Sequence, residues 1–166
     1  MKDYSIREIK QSEIPLLADF LYEAIFQRDK HNLLPRKVIQ QPELQVYIEN
    51  FGRKDDQCLV AECDGKIVGA VWTRIMARNV RGFGNVDDKT PEFAISLYPE
   101  YRNRGIGTAL MKRMLQQLKT VGHRQASLAV QKDNYALAMY QAVGFSVIDE
   151  LDQEYLMICR LADDLI

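Results

Sequence analysis

Between Arg102 and Thr108 the chain sets two arginines, two glycines and a threonine in the string RNRGIGT, where a strand-like run gives way to an amphipathic helix. The first N–H groups of a helix lack intrahelical acceptors and carry the positive end of its dipole, so this junction is suited to an anion. Gly105 and Gly107 remove the Cβ atoms that would hold a phosphate away from the backbone. Thr108 adds a hydroxyl, and Arg102 and Arg104 add guanidinium donors that match phosphate oxygens. The alternative is an ordinary glycine-bearing helix start with solvated arginines. A nucleotide P-loop would need G-x-x-x-x-G-K-[ST], which is absent, and a dinucleotide fingerprint would need glycine where Leu110 stands.

Other chemistries find little support. His31 and His123 have no ligand spacing to each other or to a cysteine, so no metal site is expected. There is no G-x-S-x-G, and no serine has a local partner that suggests a triad.

The elements that must position the RNRGIGT junction follow from the pattern around it. YSIREI reads as a strand, and the apolar positions Leu16, Leu17, Phe20, Leu21, Ala24 and Ile25 read as a helix opened by Ser12 and Glu13. PELQVYIENFG reads as a second helix, with Pro42 at its start and Gly52 just past its end. QCLVAECDGKIVGAVWTRIM is a hairpin whose turn is Asp64-Gly65. NVRGFGNVDDKTP, with charges of both signs and two glycines, reads as a loop free to move; Asp87 and Asp88 in it are either a solvated pair or an attraction for a cation. EFAISLY is a strand that stops at Pro99. GIGTALMKRMLQQLKT is a helix with Ile106, Leu110, Met114, Leu115 and Leu118 on one face and Gly122 as its stop. ASLAVQ is a strand, NYALAMYQAVG a helix ending at Gly144, and FSVIDE with EYLMICRL a closing strand pair. The fold class is mixed α/β, with hairpins at both ends of a strand-helix-strand-helix-strand centre.

RNRGIG matches the Q/R-x-x-G-x-G/A signature of the acetyl-CoA site in the GCN5-related N-acetyltransferase (GNAT) family. The resemblance is specific over residues 91–148, extends to the hairpin at 57–76, and is generic over the first 56. It implies a mostly antiparallel sheet of six to seven strands, with helices on both faces and a splayed central strand pair. It further implies that acetyl-CoA is the acyl donor. The pantetheine arm would lie along Ile95, the peptide at Ser96 and Leu97. The pyrophosphate would rest on the amides from Arg102 through Asn103, Arg104, Gly105, Ile106 and Gly107 to Thr108, and Asn134 would contact the cofactor. Tyr140 would protonate the departing thiolate, the other possibility being a core aromatic. Glu92, at the start of the slot strand, would act as general base, the other possibility being a solvated strand-edge carboxylate. The acceptor would be a small-molecule or peptide amine that attacks the thioester directly. A homodimer is left open. A longer acyl group, or a CoA-binding regulatory module without turnover, remains open at this point.

Length and composition set the remaining bounds. A chain of 166 residues fits one domain, expected over 1–166. Lys plus Arg (22) balances Asp plus Glu (23), so no global field favours nucleic acid or an anionic membrane. No apolar run approaches the ~18 residues of a membrane span. Cys58, Cys63 and Cys159 are odd in number and lack C-x-x-C spacing, as for buried thiols in a reducing cytoplasm.

Overall fold

The computed structural model describes residues 3–161. The expected domain of 1–166 therefore includes residues 1–2 and 162–166, which lie outside the described residues.

Seven strands form one sheet: β1 (Ser5–Glu8), β2 (Gln57–Cys63), β3 (Lys66–Arg74), β4 (Glu92–Leu97), β5 (Gln125–Gln131), β6 (Ser146–Glu150) and β7 (Glu154–Arg160). Their spatial order is β1-β2-β3-β4-β5-β7-β6. Every neighbouring pair is antiparallel except β4 and β5. That parallel pair is held in register only at Glu92 and Ser127, with the Ser127 N–H donating to the Pro91 carbonyl at 3.0 Å. Beyond this point the two strands separate, which is the splay that the family resemblance implies.

Two cores cover the two faces of the sheet. The α3 helix (Ile106–Thr120) buries Ile106, Leu110, Met111, Met114, Leu115 and Leu118 against Val71, Phe93, Leu128 and Met157. Each such side chain contributes about 1.5–3 kcal/mol by leaving water. The helix gives way at Gly122, whose φ of +102° suits glycine. On the same face α4 (Ala136–Ala142) packs Met139 and Tyr140 against this cluster. The opposite face is covered by α1 (Leu17–Ala24), with Leu17, Phe20 and Leu21 packed on Val60, Ala70 and Trp72.

Two expected helices differ from their sequence reading. The stretch before α1, Gln11–Leu16, is a 3-10 helix containing Pro15, which has no N–H for an α-helical ladder. The helix expected over 42–51 contracts to α2 (Pro42–Gln45), followed by turns. Its carbonyls go elsewhere: Val46 and Glu49 accept from the Arg74 guanidinium at 3.0 and 2.9 Å, and Tyr47 accepts from Trp72 Nε1 at 3.0 Å. These bonds from β3 fold the segment down on the sheet. Buried Arg74 also pairs with Asp56 at 3.0 Å, which balances its charge.

Candidate active site

The N-terminus of α3 follows directly from the end of β4 through the turn Pro99–Tyr101. Gly105 is the N-cap with φ +83°, a conformation that disfavours other residues. No side chain caps this end, and the N–H groups from Gly105 to Thr108 have no acceptor among the described residues. Gly107 is different. A Cβ added there would meet only ordinary contacts, Leu97 Cδ1 at 3.6 Å and Met139 Cε at 3.8 Å. Nothing within the described protein requires glycine at 107, whereas a group lying against these amides would.

Around this loop the other residues singled out from the sequence are arranged unequally. The Arg102 guanidinium donates to the Leu97 carbonyl at 3.2 Å and pairs with Glu23 at 3.3 Å, tying α1 to the end of β4. Asn103 has φ +62°, and Arg104 stacks over the Tyr101 ring at 5.4 Å. Thr108 and Gly107 are half-buried and Ile106 is part of the core. The Ser96 hydroxyl donates to the Phe20 carbonyl at 2.6 Å, so its side chain holds α1 rather than lining the opening.

The gap between β4 and β5 opens into a cavity of about 350 Å³, lined among others by Glu92, Ala94, Ile95, Ala129, Gln131, Asn134 and Tyr140. Side chains alternate along β4, so Phe93, Ile95 and Leu97 belong to the α3 face, and Glu92, Ala94 and Ser96 to the α1 face. Tyr140 packs on the α3 side and meets Phe145 edge-on at 6.3 Å. The splay therefore connects a phenol on one face with a carboxylate on the other. The Asn134 side-chain oxygen accepts from the Ala136 N–H at 2.9 Å, closing a turn at the entrance to α4.

Glu92 is 2% exposed, so it is not a solvated strand-edge carboxylate. Burial pushes its pKa from the usual 4.5 up to about 7, against the lowering effect of a hydrogen bond from the Tyr47 hydroxyl to Oε2. Oε1 has no hydrogen-bond partner; the Gly84 amide faces the carboxylate without reaching bonding geometry. The Tyr47 hydroxyl also accepts from the Phe83 N–H at 2.9 Å. Burial, with the nearby Glu92, holds the Tyr47 phenol well above its ordinary value, so it stays a donor. Tyr140 is pushed up to about 12, by burial first.

The segment over Glu92 is the glycine-bearing loop expected from the sequence, and it bonds to β5 and within itself. The Gly84 carbonyl accepts from the Ser127 hydroxyl at 2.6 Å, and Asp87 Oδ1 accepts from the N–H groups of Lys89 and Thr90 at 2.8 and 2.7 Å. These loop bonds lower the Asp87 pKa, that from Lys89 most, so this carboxylate is a turn former. The glycines have steric work here: a Cβ on Gly82 would lie 2.0 Å from Glu92 Oε1, and one on Gly84 would lie 2.6 Å from the backbone of Ala129. Tyr47, Phe83 and Glu154 were not legible as site residues. The two glycines flanking Phe83 were the available signal; Tyr47 had none, since its role depends on contacts with Trp72, Phe83 and Glu92.

Among the described residues no group of three or more His, Cys, Asp or Glu could hold a metal ion, and no helix is long and apolar enough to cross a membrane.

A mixed, splayed sheet with an uncapped glycine-bearing helix start beside the opening defines the class of fold. The chain belongs to the acetyltransferase (GNAT) family, whose model matches residues 21–145. It is 30% identical over 108 residues to the mycothiol acetyltransferase of Saccharomonospora viridis, covering 64% of this chain and 35% of that protein, about a third of that relative's length. It is 28% identical over 113 residues to an N-alpha-acetyltransferase of Sulfurisphaera tokodaii, covering 66% of this chain and 68% of that protein. The PaiA N-acetyltransferase of Thermoplasma acidophilum, solved in complex with coenzyme A, has the same fold, with a TM-score of 0.69, 18% identity and coverage of 96% of this chain and 99% of that one.

Proposed function

We propose that this chain is a single-domain, acetyl-CoA-dependent N-acetyltransferase that transfers acetyl to a primary amine by direct attack. The observation that carries the reading is the opening between β4 and β5, with Glu92 on one face of the sheet and Tyr140 on the other. Family membership and the coenzyme A held by the PaiA enzyme support the donor.

The residues fit that donor. The free amides of Gly105–Thr108 and the α3 dipole suit a pyrophosphate, with Arg102, Asn103 and Arg104 at its rim. Ile95, the Ser96 peptide and Leu97 offer a strand edge without a partner for the pantetheine arm, and Asn134 retains its amide N–H groups for it. Bound acetyl-CoA supplies an acetyl thioester as electrophile.

The chain's own residues then handle protons. An alkylammonium near pKa ~10 must lose a proton before it can attack. Glu92, lifted to about 7, is closer to that value than an ordinary carboxylate and accepts the proton on Oε1, directly or through water. Tyr47 holds Oε2 and thereby the orientation of the carboxylate. Tyr140 keeps its proton at every working pH and donates to the departing sulfur. The alternative, a CoA-binding module of the same fold without turnover, is separated from this reading by assaying turnover itself.

Free Cys58, Cys63 and Cys159 suit a reducing compartment, and we assign the protein to the cytoplasm. The test of the reaction is acetyl-amine formation by mass spectrometry alongside thiol release from acetyl-CoA. The expected result is one acetylated amine per thiol with no acetylated protein. Thiol release through a protein-bound acetyl group would overturn direct attack.

A further inference from the structure

Resting on the acetyltransferase reading, the same cavity carries information about its acceptor. Ile25, Phe26, Leu34, Val38, Leu44 and Phe83 give it an apolar wall. Its ionisable lining is Glu92, Glu154, Tyr47 and Tyr140; among the described residues no lysine, arginine or histidine lines it. Two arginines close in sequence to lining residues are engaged elsewhere. Arg28, over the Phe26 ring, pairs with Asp133, and Arg36, over the Tyr22 ring, pairs with Asp19.

Glu154 has no role in the proton transfers above. It opens β7 in register with Gln131, and because Tyr155, Met157 and Cys159 lie on the α3 face, Glu154, which alternates with them, shares the face of Glu92. Its carboxylate makes no ion pair or side-chain hydrogen bond among the described residues, and partial burial raises its pKa. An anionic group brought into this cavity would meet two carboxylates and no cation. An ammonium would meet its complement.

We infer that the acceptor is a primary amine on an apolar body with no carboxylate beside it, and that Glu154 enforces this choice by opposing the carboxylate of a free amino acid. The chemistry is shared by free aralkyl or alkyl amines and by apolar peptide N-termini, whose first carboxyl group is an amide. Zwitterionic amino acids are excluded because their carboxylate would be desolvated against like charge.

The test compares kcat/KM for phenethylamine, phenylalaninamide and phenylalanine at about pH 8, above the Glu92 value. Phenethylamine or phenylalaninamide exceeds phenylalanine by on the order of 100-fold. The free amine leading points to a small-molecule acceptor; the amide leading points to a chain terminus. Glu154→Gln narrows the preference about tenfold, and Glu154→Lys raises phenylalanine turnover further, with both variants folded by circular dichroism. Phenylalanine used as well as its partners by the wild type overturns the inference, and a preference unchanged in both folded variants overturns the role of Glu154. If none of the three is acetylated while calorimetry shows acetyl-CoA bound, the acceptor class is overturned and the donor site stands. Loss of that binding as well overturns the acetyltransferase reading itself.

Discussion

Glu92 is a buried carboxylate on the wall of the cavity, and burial raises its pKa to about 7. The groups facing it are Tyr47, which donates to it, and Glu154, which repels its charge; Arg74, beside it in register, is committed to Asp56. Because the folded pKa lies above the unfolded one, the folded state binds more protons between about pH 4.5 and 7, and stability falls as pH rises through that window. Glu92→Gln should abolish this fall, as read by denaturant titration at several pH values. The same substitution should lower kcat/KM by about 100-fold or more and remove its rise through pH 7. An unchanged pH–rate profile would leave Glu92 a structural group. Tyr140→Phe keeps the ring against Phe145, so it should cost little stability. Single-turnover rates should nevertheless drop on the order of 100-fold with acetyl-CoA affinity preserved, and equal rates would reduce Tyr140 to packing.

Elements were legible wherever a local signal decided them. Asp64 and Gly65 take φ values of +50° and +79°, as their tight turn requires, and the α3 stripe is buried as its spacing predicts. The segment from Val46 to Phe51 has helical composition, yet the carbonyls of Val46, Tyr47 and Glu49 are taken by Trp72 and Arg74, more than twenty residues away in the chain. No local pattern could announce that. The loop over Glu92 was legible as a loop, but the close approach of its glycines to Glu92 and β5 was not, for the same reason. Gly84→Ala should therefore cost about 1–3 kcal/mol through a clash with backbone that cannot rotate away, seen as a lower Tm together with lost activity. Gly107→Ala, with room for its methyl in the first turn of α3, should leave the melting temperature of the free protein unchanged or slightly higher.

For the whole molecule, the family signature made the donor half of the candidate site readable and left the acceptor half dark. The donor half is contiguous: β4, the turn and the start of α3 run in sequence order, so their chemistry lies within one string of residues. The acceptor half is assembled from α1, the segment around Leu34 and Val38, Tyr47, the Phe83 loop and β7, elements whose meeting is a property of the folded sheet alone. The splay joins the halves. Binding of acetyl-CoA on the start of α3 is decided by calorimetric titration of coenzyme A into the wild type and Gly107→Val. At least a tenfold loss of affinity is expected in a variant whose melting curve shows it folded, because the added branches block approach to the amides of Gly105–Thr108. Equal affinity in the two proteins would contradict it.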